Sequence, residues 1–291
     1  MTPLTVLYRG PLASCNYGCG YCPFAGHRAT AAELEEDRRA LRRFVDWARG
    51  RTGQLSLFFT PAGEALIHSW YADAIVELSR LPHLRRVAIQ TNLSAPLDWL
   101  ARADASRVGI WATYHPGRVA RQDFLRQCAE LERRGVSFSV GAVGLPALVD
   151  EIAALRAVLP ARVYLWINAA KRDPCCADEA FVGRLTAIDP LFPLSLRAQR
   201  SRGLPCRAGH TAISVDGAGQ VRRCHFLPEV IGRLDDPALR LDPTPAPCPA
   251  DECRCHIGYV HLVPLGLDRV FGDGILERAL PPGCSEPLPQ L

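Results

Sequence analysis

Twelve cysteines are the main source of chemistry in this 291-residue chain. They stand at positions 15, 19, 22, 128, 175, 176, 206, 224, 248, 253, 255 and 284, with three near the start and five between 206 and 255. The first group reads Cys15-Asn16-Tyr17-Gly18-Cys19-Gly20-Tyr21-Cys22. Random placement would give that spacing roughly 0.02 times per chain of this length, so chance does not explain it. Three thiolates on one short loop can hold one face of a metal centre. Gly18 and Gly20 let the backbone bend and bring N–H groups toward sulfur. A four-iron cluster held by three cysteines keeps one iron open for another ligand. The plainer alternative is structural zinc with His27 as fourth ligand, although zinc sites commonly pair Cys-x-x-Cys knuckles across a longer loop.

Such residues need elements to position them. Between residues 5 and 188, short apolar runs alternate with helical patterns. Segments 5–8, 54–59, 86–90, 107–114, 137–143 and 162–167 predict six buried strands. Segments 33–49, 69–80, 96–102, 121–134 and 147–159 carry apolar residues at helical spacing, and 178–188 makes a sixth helix. Six βα units in series predict an α/β fold with a parallel sheet. Being fewer than the eight of a closed barrel, they fit a partial (β/α)6 TIM-type barrel. In such folds functional residues gather after the C-terminal ends of strands, which is where the first cysteine group lies.

The alternation breaks at Asp189-Pro190-Leu191-Phe192-Pro193. Beyond it, 213–221 predicts a β-hairpin around Asp216-Gly217. The chain thus divides into a barrel over 1–188 and a small Cys-rich unit over 189–291, which has too little core to stand without a staple.

Composition bounds the rest. Hydrophobic residues at 48% and charged residues at 22% are ordinary for a globular chain. No apolar run reaches the roughly 18–20 residues of a membrane span, and no signal peptide is evident at the start. A net charge of +4 is too small to imply a nucleic-acid partner. Lys171 is the single lysine among 34 basic residues, which points to genome composition rather than a designed basic surface. The expectation is a cytoplasmic protein whose cysteines stay reduced and serve metal or redox chemistry.

In the first loop of a partial barrel, Cys-x3-Cys-x-aromatic-Cys resembles the signature of the radical S-adenosylmethionine (radical SAM) enzymes. The resemblance spans about residues 5–170. It implies that Cys15, Cys19 and Cys22 bind a [4Fe–4S] cluster whose fourth iron is chelated by the SAM amino and carboxylate groups. It also implies that Tyr21 lies beside the adenine. Thr60-Pro61-Ala62-Gly63-Glu64-Ala65 sits where the family has a Gly-Gly-Glu-Pro motif toward the SAM amino group. Ala62 and Ala65 depart from that motif. Gly63 and Glu64 keep it, and a carboxylate facing an ammonium is sound chemistry. Without the cysteine loop the same segment reads as a turn ahead of a helix.

Thr91 and Asn92 end strand three, His115 follows strand four and Asn168 ends strand six. By resemblance, such strand ends carry polar contacts to SAM, and His115 equally suits a substrate contact or a loop cap. Gly141 and Gly144 in strand five either admit the adenine or relieve packing.

Cys206 and Cys224, with the hairpin between them, resemble the SPASM/Twitch auxiliary domain of the same enzymes, which holds one or two further clusters. Two clusters take seven cysteines. Five lie here, which implies the shorter Twitch type with one auxiliary [4Fe–4S] cluster. Its preferred ligands are Cys206, Cys224, Cys253 and Cys255, with Cys248 in reserve. Zinc on Cys206, Cys224 and two later cysteines would staple the unit as well. Arg222, Arg223 and Arg254 flank these thiols and suit an anionic cluster. Cys128 reads as a core residue, Cys175-Cys176 as a loop pair near the mouth and Cys284 as incidental. His225 and His256 adjoin cluster cysteines.

The resemblance implies an oxidoreductase-type enzyme. It would cleave SAM reductively to a 5′-deoxyadenosyl radical and abstract hydrogen from a small-molecule or peptide substrate, the auxiliary cluster assisting. It further implies an electron donor such as flavodoxin or ferredoxin, and no membrane or nucleic-acid partner. The competing expectation is a non-enzymatic, zinc-stapled binding protein of the kind that binds RNA.

Overall fold

Runs of Val, Leu, Ile and aromatic residues buried on both faces suit strands inside a parallel sheet. Strands β1 (Leu4–Arg9), β2 (Leu55–Phe59), β3 (Leu84–Thr91), β4 (Val108–Thr113), β5 (Ser137–Gly144) and β6 (Leu165–Ala169) pair in parallel, each with the next. Helices α1 (Ala31–Arg49), α2 (Ser69–Ser79), α3 (Arg121–Arg133), α4 (Val149–Val158) and α5 (Glu179–Thr186) connect or follow them. This computed structural model describes residues 3–22, 27–170 and 178–281, so Cys175, Cys176 and Cys284 lie outside the described residues. The link over 96–102 expected as a helix is a 3-10 segment at Asp98–Arg102, followed by a second at Ala105–Arg107. Short, tight turns of this kind suit a brief connector better than an α-helix does.

The helices start where the sequence offers caps. Thr30 caps α1: its hydroxyl accepts from the Glu33 N–H while the Glu33 carboxylate accepts from the Thr30 N–H. Such a box contributes about 1 kcal/mol. Leu41, Phe44, Val45 and Ala48 of α1 then bury against the sheet. Alternation along the strands separates two cores. Val6, Leu57, Val87, Ile110 and Ile167 face the helices, whereas Leu7, Phe58, Ala88, Trp111 and Trp166 face the interior of the barrel.

The second half adds α6 (Phe192–Leu196), β7 (Gln199–Arg200), β8 (Pro205–Cys206), β9 (Ala212–Asp216), β10 (Gln220–Arg222), β11 (Gly232–Arg233), β12 (Ala246–Pro247) and β13 (Glu252–Cys253). It ends in the short helices α7 (His256–Tyr259) and α8 (Leu267–Phe271). The hairpin read at 213–221 is β9–β10, turned through Gly219 at φ +77°. β9 pairs in parallel with β1, giving one nine-stranded sheet in the order β11-β10-β9-β1-β2-β3-β4-β5-β6. The Cys-rich half is thereby attached through backbone hydrogen bonds to the barrel edge.

Residues after α8 return beneath the barrel. The Glu277 carboxylate accepts from Ser137 Oγ at 2.6 Å and stands 3.5 Å from Arg86 Nε. It fills the space left by Gly109, where a Cβ would come within 2.7 Å of it. Arg86, Gly109 and Ser137 lie near the starts of β3, β4 and β5, so this segment closes the N-terminal end of the barrel. Among the described residues no helix is long and apolar enough to cross a membrane.

Candidate active site

The cysteine loop runs directly from β1 and is zipped to the loop after β2. The Ala62 N–H donates to Leu12 O at 3.1 Å, and the Glu64 N–H to Ser14 O at 3.0 Å. Gly63 lies between these contacts, and a Cβ there would stand 1.8 Å from Ser14 O. Only glycine lets the two loops approach this closely. Behind the loop, the buried Asp37 carboxylate of α1 accepts from Trp70 Nε1 and Tyr71 Oη, both at 2.9 Å, and from the Leu12 N–H. Burial pushes that carboxyl above its usual range.

Cys15 is held from the β3 side. Asn92 Nδ2 donates to Asn16 Oδ1 at 2.9 Å and lies 3.8 Å from Cys15 Sγ. Asn16 Nδ2 donates to Ser94 Oγ at 2.9 Å, and the Tyr17 N–H points to Cys15 Sγ at 3.4 Å. Glu64 connects this side to β2. Its buried carboxylate accepts from Thr91 Oγ1 at 2.7 Å, the Leu66 N–H at 3.0 Å and the Asn92 N–H at 2.5 Å. Burial raises its pKa and the three donors lower it.

Cys19 is held from the β4 side. His115, just past β4, places Nδ1 at 3.5 Å from Cys19 Sγ and 2.8 Å from Tyr21 Oη. Arg118 of the same turn donates to the Gly18 carbonyl. The Cys22 N–H donates to Cys19 O at 3.0 Å, which folds the last two cysteines into one turn. Burial raises the Cys15 thiol, and Glu64, Cys19 and Cys22 add to the rise. Cys15 therefore resists ionisation on its own, and a bound cation would reverse that.

These clamps surround a cavity of about 250 Å³ at the C-terminal ends of the strands. All ten sequence-derived residues of the barrel site line it: Cys15, Cys19, Cys22, Tyr21, Gly63, Glu64, Thr91, Asn92, His115 and Asn168. Gln90 and Thr113, in the same strand-end segments, line it too, whereas sequence reasoning missed Trp166, which inward parity on β6 could have found. Trp166 lies across the barrel interior because Gly141 has no side chain, and a Cβ there would meet the indole at 2.0 Å. Gly144 is likewise packed on Leu185 and Ile167. Among the described residues no three His, Cys, Asp or Glu side chains converge closely enough to share a single ion. A cubane instead places its cysteines on separate irons, so the donor set, its loop and the adjoining cavity fit that group.

A second group of thiols surrounds a small apolar recess. Cys206, Cys224, Cys248 and Cys253 line it with Arg223, Phe226 and Leu262. Cys255 is exposed and absent from that lining. Backbone pairing explains the difference. The Cys248 N–H donates to Leu204 O, and Cys248 O accepts from the Gly203 N–H, both at 2.9 Å, while β12 pairs with β8 beside Cys206. Burial pushes the Cys224 thiol up to about 11 and the Cys253 thiol to about 12, with neighbouring thiols adding to both. Arg222 pairs with Asp216, Arg223 stands 3.5 Å from Asp242, and Arg254 pairs with Glu252. Cys128 is buried in the main core.

No family model matches the chain, and no curated protein matches its sequence. Solved structures do match its fold. One is native anSMEcpe, an anaerobic sulfatase-maturating enzyme, with bound AdoMet and Kp18Cys peptide, at TM-score 0.51 and 13% identity over 80% of this chain and 78% of that one. The same enzyme with AdoMet and Cp18Cys peptide matches at TM-score 0.50 and 15% identity over the same shares. BtrN in complex with AdoMet and 2-DOIA matches at TM-score 0.38 and 14% identity over 80% and 79%. The chain carries the partial-barrel fold of radical SAM enzymes.

Proposed function

We propose that this chain is a radical SAM enzyme acting on a small-molecule or peptide substrate. In this reading Cys15, Cys19 and Cys22 hold a [4Fe–4S] cluster and SAM occupies the adjoining cavity. An auxiliary [4Fe–4S] cluster on the later cysteines assists an oxidation. The observation that carries it is the clamped cysteine trio opening on a cavity at the strand ends, whose largely apolar wall is set with Glu64, Thr91, Asn92, His115 and Asn168. The fold likeness to anSMEcpe supports it, and the peptides in those structures support a peptide as one substrate class. The electron donor is of flavodoxin or ferredoxin type.

When bound, the cluster and SAM supply a 5′-deoxyadenosyl radical that removes a hydrogen atom from substrate. The chain's own part is to orient and to exclude water. Tyr21, fixed by His115, offers a flat face for the adenine. Gly63 and Glu64 line the part of the cavity that would receive the SAM amino group, and Thr91, Asn92, His115 and Asn168 offer polar edges around it. Trp166, backed by Trp111 and Phe58, closes the interior beneath it. An apolar floor keeps competing hydrogen donors away from the reacting centre. Cys206, Cys224 and Cys253, with Cys248, would hold the auxiliary cluster.

Anaerobic reconstitution tests this. The enzyme should bind about eight irons, absorb broadly near about 400 nm with bleaching by dithionite, and form 5′-deoxyadenosine from SAM. Replacing Cys15, Cys19 and Cys22 together by alanine should leave about four irons and abolish 5′-deoxyadenosine. A colourless zinc protein that leaves SAM intact would overturn the proposal in favour of a zinc-stapled binding protein.

A further inference from the structure

We propose that His115 donates a hydrogen bond from Nδ1 to the Cys19 sulfur and thereby raises the reduction potential of the cluster held there. The inference rests on the radical SAM reading above. Its geometric basis is the Nδ1 to Cys19 Sγ distance of 3.5 Å, with Tyr21 Oη at 2.8 Å from the same nitrogen. A cysteine that ligates iron is a thiolate, and its sulfur can only accept. An imidazole with its proton on Nε2 would turn a lone pair toward that negative sulfur. The proton therefore belongs on Nδ1, shared between Cys19 Sγ and Tyr21 Oη. Nε2 has no partner among the described residues and remains an acceptor on a residue that lines the cavity.

The ring is held in this orientation from several sides. Tyr21 lies parallel to it at 6.0 Å and 10°, and Tyr17 meets it edge-on at 5.8 Å and 79°. The Tyr114 N–H donates to Gly141 O at 2.8 Å and Tyr114 Oη to Glu151 at 2.8 Å, which anchors the strand end that carries His115. The Arg118 N–H closes the turn on His115 O at 3.0 Å. Cys15 takes its own N–H from Tyr17. Cys15 thus has the Tyr17 N–H and Asn92 Nδ2 as donors, and His115 would supply Cys19 with one from the turn after β4. Hydrogen bonds to ligand sulfur withdraw charge and favour the reduced cluster.

His115→Asn keeps an N–H near the Nδ1 position, and His115→Phe keeps a ring without one. Potentiometric titration followed by EPR on the reconstituted holoenzyme reads the effect, and the signal that changes on adding SAM identifies this cluster against the auxiliary one. His115→Phe should reduce at a lower potential than the parent, and His115→Asn should recover most of the difference. An unchanged potential in His115→Phe, or no recovery in His115→Asn, overturns the inference. Where His115→Phe loads no cluster, the parent labelled with 15N-histidine decides. Pulsed EPR should show one histidine nitrogen coupled to the SAM-responsive signal, and its absence overturns the inference. A parent that takes up no iron refutes the radical SAM reading itself, whereas a SAM-responsive cluster indifferent to residue 115 refutes only the role of His115.

Discussion

The guanidinium carbon of Arg278 lies 4.7 Å from the ring centroid of Trp166, and Trp166 is also a wall of the cavity beside the cysteine loop. The last described segment, entering from the opposite end of the barrel, therefore reaches the site through a single indole. Arg278 is 2% exposed, and among the described residues its Nε and Nη1 find no hydrogen-bond acceptor. A second indole, Trp111, lies 5.1 Å away. The two ring faces and the field of buried Asp189 balance the charge.

Arg278→Met should show how much this arrangement stabilises the fold. It removes two desolvated cation–π contacts and the cation that favours ionised Asp189. We expect a loss of roughly 2–4 kcal/mol in urea unfolding. Tryptophan emission of the folded variant should shift, since Trp166 and Trp111 both lose their cation.

Gly63→Ala should damage the metal site more than the fold. The new Cβ would sit 1.8 Å from Ser14 O, so the Cys15 loop must move. Overpacking of this kind costs about 1–3 kcal/mol. Iron content after reconstitution should fall toward that of the triple cysteine variant. A variant with parental iron content would show that the loop tolerates separation from the β2 loop.

The two remaining candidate ligands of the auxiliary site can be separated singly. Cys248 lines the recess with Cys206, Cys224 and Cys253, whereas Cys255 is exposed. Cys248→Ser should lose about four irons per chain and Cys255→Ser should keep the parental count. The reverse result would assign the ligand set by sequence spacing rather than by backbone pairing.

Acid should destabilise the chain through buried imidazoles. Burial pulls His261 down to about 4, with Arg207 adding to the shift. An unfolded histidine titrates at about 6.5, so between these values the unfolded chain binds a proton that the folded one refuses. The contribution is complete above about pH 6.5 and is lost as pH falls through about 4, amounting to about 3 kcal/mol. Urea midpoints at several pH values in this range should fall less steeply in His261→Phe than in the parent.

The barrel half of the site was legible because its determinants are local. The cysteine spacing sits in one loop, and Thr91, Asn92, His115 and Asn168 lie at or just beyond strand ends, where a βα sheet directs side chains to its mouth. The bond from His115 to Cys19 was not legible, since 96 residues separate them and only the adjacency of β4 to the cysteine loop joins them. Glu64 was read toward the SAM amino group, whereas the contacts its carboxylate makes in the fold are to Leu66, Thr91 and Asn92.

The sequence by itself determined the six parallel strands and five of their six expected helices, the cysteine loop after the first strand and the hairpin between Cys206 and Cys224. Each follows from periodicity or spacing within a few tens of residues. Only the tertiary structure decided that Cys248 joins Cys206 while Cys255 faces outward, that β9 extends the barrel sheet, and that Arg278 rests on Trp166. Those outcomes depend on which distant backbones exchange hydrogen bonds and which side chains share a face, and no local pattern carries that information.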